Sequence, residues 1–363
     1  MVVLVFVSFI VMFLAYLESK GSLRNGMLTG FVILTAVMSL RFEYGNDYVS
    51  YAQKFIYDGN MLFKFSNLTD GTIADPIWFL FNRMFKPFGF QAFVIFLTII
   101  DSIAYYHLIK TNLPKNLWVF GLFIYLFTNS FFPMQLSMMR QGLAMALIVL
   151  AVPYILDKKR WQPLLLMAIS VGIHSSAIIC IPFILLLYMN FIKRKTLVIC
   201  GFLALFALFF AAKDIILELM STTLNSFEYL EKYDEKYLLG DKYEASAAKS
   251  IFGLVLYLFP IIISLIFLRN CKDEKKIKYL VLYLLGSFIF LTNEIVPMAG
   301  RLAWYFTIFS IVALPLSFSN IKARYVRYAC IFLFVLITLK EYNDFFHALN
   351  WKDAFLEFRT IFS

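Results

Sequence analysis

Few residues in this chain are of a type and setting suited to chemistry: Arg140, His174, Arg301 and the turn that begins at Arg41. Ser137-Met138-Met139-Arg140-Gln141-Gly142-Leu143-Ala144 follows Pro133 and leads into an apolar run. Ser137 is expected to cap the start of a helix there, with Arg140 in its first turn. A helix dipole disfavours a cation at that end. The conflict disappears when the cation and the helix end both face an anion, which is how phosphate sites are built. The plainer reading is an arginine whose head reaches the lipid headgroups.

Gly172-Ile173-His174-Ser175-Ser176 interrupts the apolar stretch from Trp161 to Phe191. That stretch lies between two basic loops, so it is expected to return to the side it left. Two short helices meeting at the break, with His174 at the turn, would do so. A neutral imidazole in that position can accept a proton near pH 7. The alternative is a buried histidine bonded to a carbonyl that the break sets free.

Two further segments carry charge where it is costly. Arg41-Phe42-Glu43-Tyr44-Gly45-Asn46-Asp47-Tyr48-Val49-Ser50-Tyr51 joins one cation, carboxylates and tyrosine hydroxyls in a tight turn. A snorkelling arginine beside an interfacial aromatic belt explains it equally well. Asn293-Glu294-Ile295-Val296-Pro297-Met298-Ala299-Gly300-Arg301 repeats the Arg140 arrangement, with a short turn and then an arginine opening an apolar run. Asp101 stands alone inside an apolar segment. His107 and His347 are expected on opposite sides of a membrane, which speaks against a metal site with His174. No nucleotide loop, metal cluster or Ser-His-Asp pattern is present in the sequence. These cations and one base suit an anionic, lipid-linked phosphate compound, and on their own they fix no reaction.

The elements that must position these residues follow from composition. Hydrophobic residues make up 61% of the 363 and charged residues only 15%. A soluble domain carries about a quarter charged residues, so lipid has to solvate most of this surface. Each crossing needs about 20 apolar residues. Candidates lie near 2–17, 27–40, 90–109, 117–131, 138–156, 161–175, 176–191, 196–212, 250–268, 279–293, 301–317 and 326–340, or about twelve crossings, some short or broken. The first run has no basic segment before it and no small-residue cleavage site, and Glu18 and Lys20 follow it, unlike a signal peptide. The four cysteines avoid the long polar loops, so neither a disulfide framework nor a cysteine zinc site is expected.

The net charge of +10 reflects basic residues gathered in short connections, and nucleic acid is not an expected partner. Lys20/Arg24, Lys110/Lys115, Lys158 to Arg160, Lys193 to Lys195, Arg269 to Lys278 and Lys322 to Arg327 hold more than half of them, with few acids. That bias places these connections in the cytoplasm and both termini outside. The stretches 41–89 and 213–249 then become outer loops on a single polytopic membrane domain, 1–363. Within the first, 76–88 is expected to lie along the interface as an amphipathic helix anchored by Trp78.

At these residues the chain resembles the EpsG branch of the Wzy-type polysaccharide polymerases. The resemblance rests on Arg41 with Gly45-Asn46-Asp47-Tyr48 and Tyr51, Met139-Arg140-Gln141 opening a helix, His174-Ser175-Ser176 in a break, and Gly300-Arg301. It runs from about residue 35 to 310. It implies a fold like the GT-C-like one of Wzy polymerases and O-antigen ligases, in the bacterial cytoplasmic membrane, with the active site facing outward. The implied activity is transfer of a growing glycan from undecaprenyl diphosphate to another lipid-linked repeat unit, without cofactor or metal. Arg140, Arg41, Arg301 and Gln141 would then face the diphosphate, and His174 or Asp47 would take the acceptor's proton. Tyr48, Tyr51, Ser175 and Glu294 would contact substrate. The implied partners are undecaprenyl-diphosphate-linked oligosaccharides and the bilayer, with a chain-length regulator and a flippase as protein candidates. The competing readings are an O-antigen ligase-type transferase and a lipid-linked oligosaccharide flippase. The Arg-Gln and His-Ser order speaks against the first. The lack of related halves and the gathering of cations at one face speak against the second.

Overall fold

A computed structural model describes residues 1–61, 73–188, 195–225, 251–294, 299–348, 353–355 and 357–362. The chain is an all-α membrane protein, and among the described residues the exception is one two-stranded pairing of two residues each. It divides into two compact units, one of residues 1–188 with 328–363 and one of residues 189–327.

In the first unit, α1 (Val2–Ser19) packs on α2 (Gly26–Ser39), and α2 leads through the strand β1 (Arg41–Phe42) to α3 (Tyr48–Asn60) and α4 (Pro76–Phe85). Then follow α5 (Phe90–Asn112), α6 (Trp118–Phe127), the short α7 (Phe132–Ser137), α8 (Met139–Leu156), α9 (Trp161–Ile173) and α10 (Cys180–Leu185). The unit's last long helix is α16 (Arg324–His347), and the strand β2 (Arg359–Thr360) pairs antiparallel with β1. The second unit holds α11 (Lys195–Asn225), α12 (Ile251–Asn270), α13 (Glu274–Leu291), α14 (Ala299–Thr307) and α15 (Ser310–Ser319).

Among the described residues, five helices meet the length and apolarity of a crossing: α1, α5, α8, residues 195–212 of α11 and residues 253–270 of α12. The pair α14 and α15, bent by 58°, makes a sixth if it acts as one span. Other expected segments form helices that fall short of that test for local reasons. The helices α2, α6, α9 and α10 are short, whereas α13 and α16 carry charge at their ends, such as Glu274 to Lys278 and Arg324 with Arg327. The most enclosed span is α8, against which α5, α7 and α9 pack. An interior helix of this kind gives a site-bearing side chain a fixed origin.

Two polar seams close the first unit. At one end, Lys110 Nζ meets Glu18 at 2.6 Å, and the other Glu18 oxygen takes the Met27 amide at 2.9 Å. The same ammonium lies 4.3 Å from the Trp118 ring centre, a cation–π contact. At the other end, the Met1 ammonium donates to the Phe355 carbonyl at 3.0 Å, and Gly45 N–H donates to Ala354 O at 3.0 Å. Both termini therefore lie at the end of the bundle where the Arg41 turn sits.

The helix expected along the interface, α4, starts at Pro76 and buries Trp78, Phe79 and Asn82. It packs on α3, α5 and α9, and Trp78 packs at a tilt against Tyr51 and Phe93, with ring centres 5.5 and 4.9 Å away. Trp78 is thus a core residue, not an interfacial anchor. The hydrophobic faces of α3 and α5 cover it, so it has no headgroup to reach. The part of the 41–89 stretch at 62–72 lies outside the described residues, as does most of 213–249. The helix α11 runs on to Asn225.

Candidate functional site

The Arg41 turn is docked onto the junction of α7 and α8. Gly45 has φ +107°, and a Cβ there would sit 2.9 Å from both Leu136 O and Ser137 Cα. Only glycine permits that backbone conformation together with that approach. Beside it, the Asp47 amide donates to Ser137 Oγ at 3.3 Å. Ser137 therefore does not cap α8, as its position suggested. It closes α7, and the residue preceding α8 is Met138. Its hydroxyl serves the neighbouring turn.

Arg41 and Tyr48 are both buried and bonded within the protein. The Arg41 side chain is buried and donates from Nη1 to Met38 O and Thr98 Oγ1, both at 2.8 Å. The Tyr48 hydroxyl donates to Gln91 Oε1 at 3.2 Å, and its ring packs edge-on against Phe42 and Phe90. Neither side chain is open to a ligand. The sequence places a cation and a phenol at a helix exit, but α5 lies across that exit and supplies their partners.

Arg140 is on the first turn of α8, as expected, and its partner is a residue that sequence reading missed. Arg140 Nη1 lies 2.6 Å from Asp75 Oδ2, and the Ser175 amide donates to Asp75 Oδ1 at 3.0 Å. Asp75 occupies the N-cap position of α4 with Pro76 after it, yet its carboxylate makes no bond to its own helix. Its side chain is 6% exposed and that of Arg140 29%, so the acid lies beneath the guanidinium. The Asp75-Pro76 pair was visible in the sequence as a helix start, and nothing nearby indicates that the carboxylate turns away from that helix.

Tyr51 completes the group. Its ring centre is 5.7 Å from the Arg140 guanidinium carbon, a cation–π contact. Burial raises its pKa, and the neighbouring Arg140 charge only partly offsets this. Tyr51 therefore stays a neutral phenol at physiological pH. The Arg140 Nε is buried and has no acceptor among the described residues.

His174 follows α9 with extended backbone (φ −147°), and Ser175 starts the short 3-10 turn that follows, so the expected break is present. The His174 amide donates to Ser170 O, and its carbonyl accepts from Ala177, both at 2.9 Å. Gly172 lets α9 approach α4 closely: a Cβ there would be 2.6 Å from Ile77 Cγ1. Asp47, Tyr51, Arg140, His174 and Ser175 are thus gathered around the start of α8, and Asp75 links Arg140 to the Ser175 amide. Gln141 is buried on α8. Arg301 lies near the start of α14 in the second unit, where Asn293 Oδ1 accepts the Gly300 amide at 2.9 Å. Glu294 ends a 3-10 turn in the same unit, and its side chain lies outside the described residues.

The arrangement can hold an anion at a partly exposed guanidinium and place an imidazole-bearing turn beside it. A family model described as the EpsG family matches residues 26–352 of the chain. No curated protein and no solved structure matches it.

Proposed function

The chain belongs to the EpsG family, and from that premise we propose that it is a membrane glycosyltransferase of the polysaccharide-polymerase kind. In this reading it transfers a growing glycan from undecaprenyl diphosphate to a lipid-linked repeat unit at the outer face of the cytoplasmic membrane. The observation that carries the proposal is Arg140, held on Asp75 at 2.6 Å beside the His174 break. A diphosphate leaving group gathers negative charge as its bond to the sugar breaks. A pre-placed guanidinium stabilises that charge most in a site that excludes water.

The step balances without a nucleotide. The acceptor hydroxyl oxygen bonds to the donor's anomeric carbon, the bond from that carbon to the diphosphate oxygen breaks, and the electron pair leaves with the diphosphate. The hydroxyl proton passes to a base, His174 or the carboxylate of Asp47. Tyr51, neutral and with its ring beside Arg140, offers a ring face and a hydroxyl to sugar. Counting the shorter apolar helices, the bent pair, α13 and α16 as crossings gives about twelve spans, with a GT-C-like arrangement and both termini outside. A flippase and a chain-length regulator would be its natural protein partners.

Complementation of a polymerase-null strain tests the reading. Restored polysaccharide ladders support it. Accumulation of single lipid-linked repeats despite full expression of the protein overturns it, and loss of lipid-linked repeats from the outer face when this chain's own gene is deleted would indicate flippase activity instead.

A further inference from the structure

We infer that Asp75 is the positioning residue of this site, one carboxylate that fixes both the Arg140 guanidinium and the His174 break. The inference rests on the polymerase reading for its catalytic consequence and on geometry for its structural one. An aspartate at a helix N-cap ordinarily accepts from its own helix's first amides. Asp75 instead spends Oδ2 on Arg140 Nη1 and Oδ1 on the Ser175 amide, partners 65 and 100 positions away along the chain.

The surroundings enforce that choice. The close approach of α4 to α9 depends on Gly172, whose missing side chain leaves room for Ile77. Gly172 precedes His174 by two positions, and Ile77 follows Asp75 by two, so the contact brings the carboxylate to the Ser175 amide. From the other side, Trp78 packs at a tilt against Tyr51, whose ring lies 5.7 Å from the Arg140 guanidinium carbon. With Nη1 tied down beneath, the part of the Arg140 guanidinium left partly exposed is what can meet an incoming anion. The carboxylate thereby sets the spacing between the group that meets the diphosphate and the turn that carries the imidazole. A misplacement of about 1 Å between such groups can cost on the order of 10²-fold in rate.

The test uses the full chain in lipid nanodiscs with lipid-linked repeat units extracted from a polymerase-null strain. Asp75→Asn keeps the shape but presents an amide to Arg140. It should slow polymer formation by about 10–10²-fold, with little change in the substrate level giving half the maximal rate. In an Arg140→Ala background the same change should cost less than about twofold, because a residue acting through another gives non-additive losses. Gly172→Ala should also slow the reaction, and Ile77→Ala added to it should restore most of the rate.

Hydrogen exchange supplies a readout independent of turnover. Asp75→Ala should speed exchange across 173–177 by about tenfold or more, the removal of one bonded acceptor, while α8 is unchanged. If the wild type makes no polymer yet exchange responds in this way, the polymerase reading falls and the positioning role stands. Wild-type rates from Asp75→Asn, or losses that multiply with those of Arg140→Ala, overturn the positioning role.

Discussion

The backbone amide of Asp47 donates to the hydroxyl of Ser137, 90 positions later in the chain, at 3.3 Å. That bond joins the Arg41 turn to the junction from which α8 and Arg140 start. The turn is therefore part of the site's foundation, and its one permissive glycine becomes a point of failure.

Gly45→Ala should be strongly destabilising. The backbone there has φ +107°, and the new methyl would press on Leu136 O and Ser137 Cα. Backbone strain of this kind costs about 1–3 kcal/mol, before the clash is counted. The expected result is a lower thermal transition in detergent and reduced activity. A variant with unchanged melting and full polymer length would mean the turn is not held as described.

Arg140→Ala should lose about 10²–10³-fold in polymer formation, the usual effect of removing one donor to a developing charge. Arg140→Lys should keep part of the activity, since it retains charge and loses the planar fork. Protein levels should be matched by blotting. Normal ladders from the alanine variant would show that no leaving group meets Arg140. Arg301→Ala, assigned on its sequence setting, calls for the same comparison.

His174→Gln separates a proton acceptor from a scaffold. Losing a general base typically costs about 10²–10⁴-fold, so both His174→Gln and His174→Ala should leave lipid-linked single repeats with little polymer. If His174 merely ties down the break, glutamine should rescue most of the polymer and alanine should mainly lower protein level. Full chain lengths from a well-expressed glutamine variant would move the base role to Asp47.

Much of the scaffold is legible in the sequence, and much of the site is not, for one physical reason. The runs that became α1, α5 and α8 had to be long because hydrocarbon thickness imposes a length, and length is local information. The break at His174 is also local, marked by Gly172 and the serines. The fates of Arg41 and Tyr48 are not. Whether a cation at a helix exit meets headgroups or a neighbouring helix depends on Thr98 and Gln91, which another element brings in. Asp75 was missed for the same reason: its Asp-Pro signature describes α4, while both its partners belong to distant helices. Ser137 was misread as a cap because its real donor, Asp47, is far away in the chain.

Orientation can be checked with exposed positions at the two ends of the first unit. In a background lacking Cys180, Cys200, Cys271 and Cys330, Glu357→Cys should react with an impermeant maleimide in intact cells. Lys158→Cys should react only after lysis. The expectation follows from the basic short connections and from the docking of residues 353–362 beside the Arg41 turn. The opposite pattern would put Arg140 on the cytoplasmic side.

The pairing of β1 with β2 has a consequence for the order of events during synthesis. Arg41 lies opposite Thr360, and the Met1 ammonium meets a carbonyl 354 positions away. The Arg41 turn leaves the ribosome long before the strand that pairs with it. Contacts of such separation form late, because a very long loop must close first. A nascent chain can thus hold Arg140, Asp75 and His174 in inserted helices while the seam over the Asp47 turn is still open. Stalled or nicked chains lacking residues 353–362 should be recognisable by protease cutting within 41–47, a region that the finished seam protects.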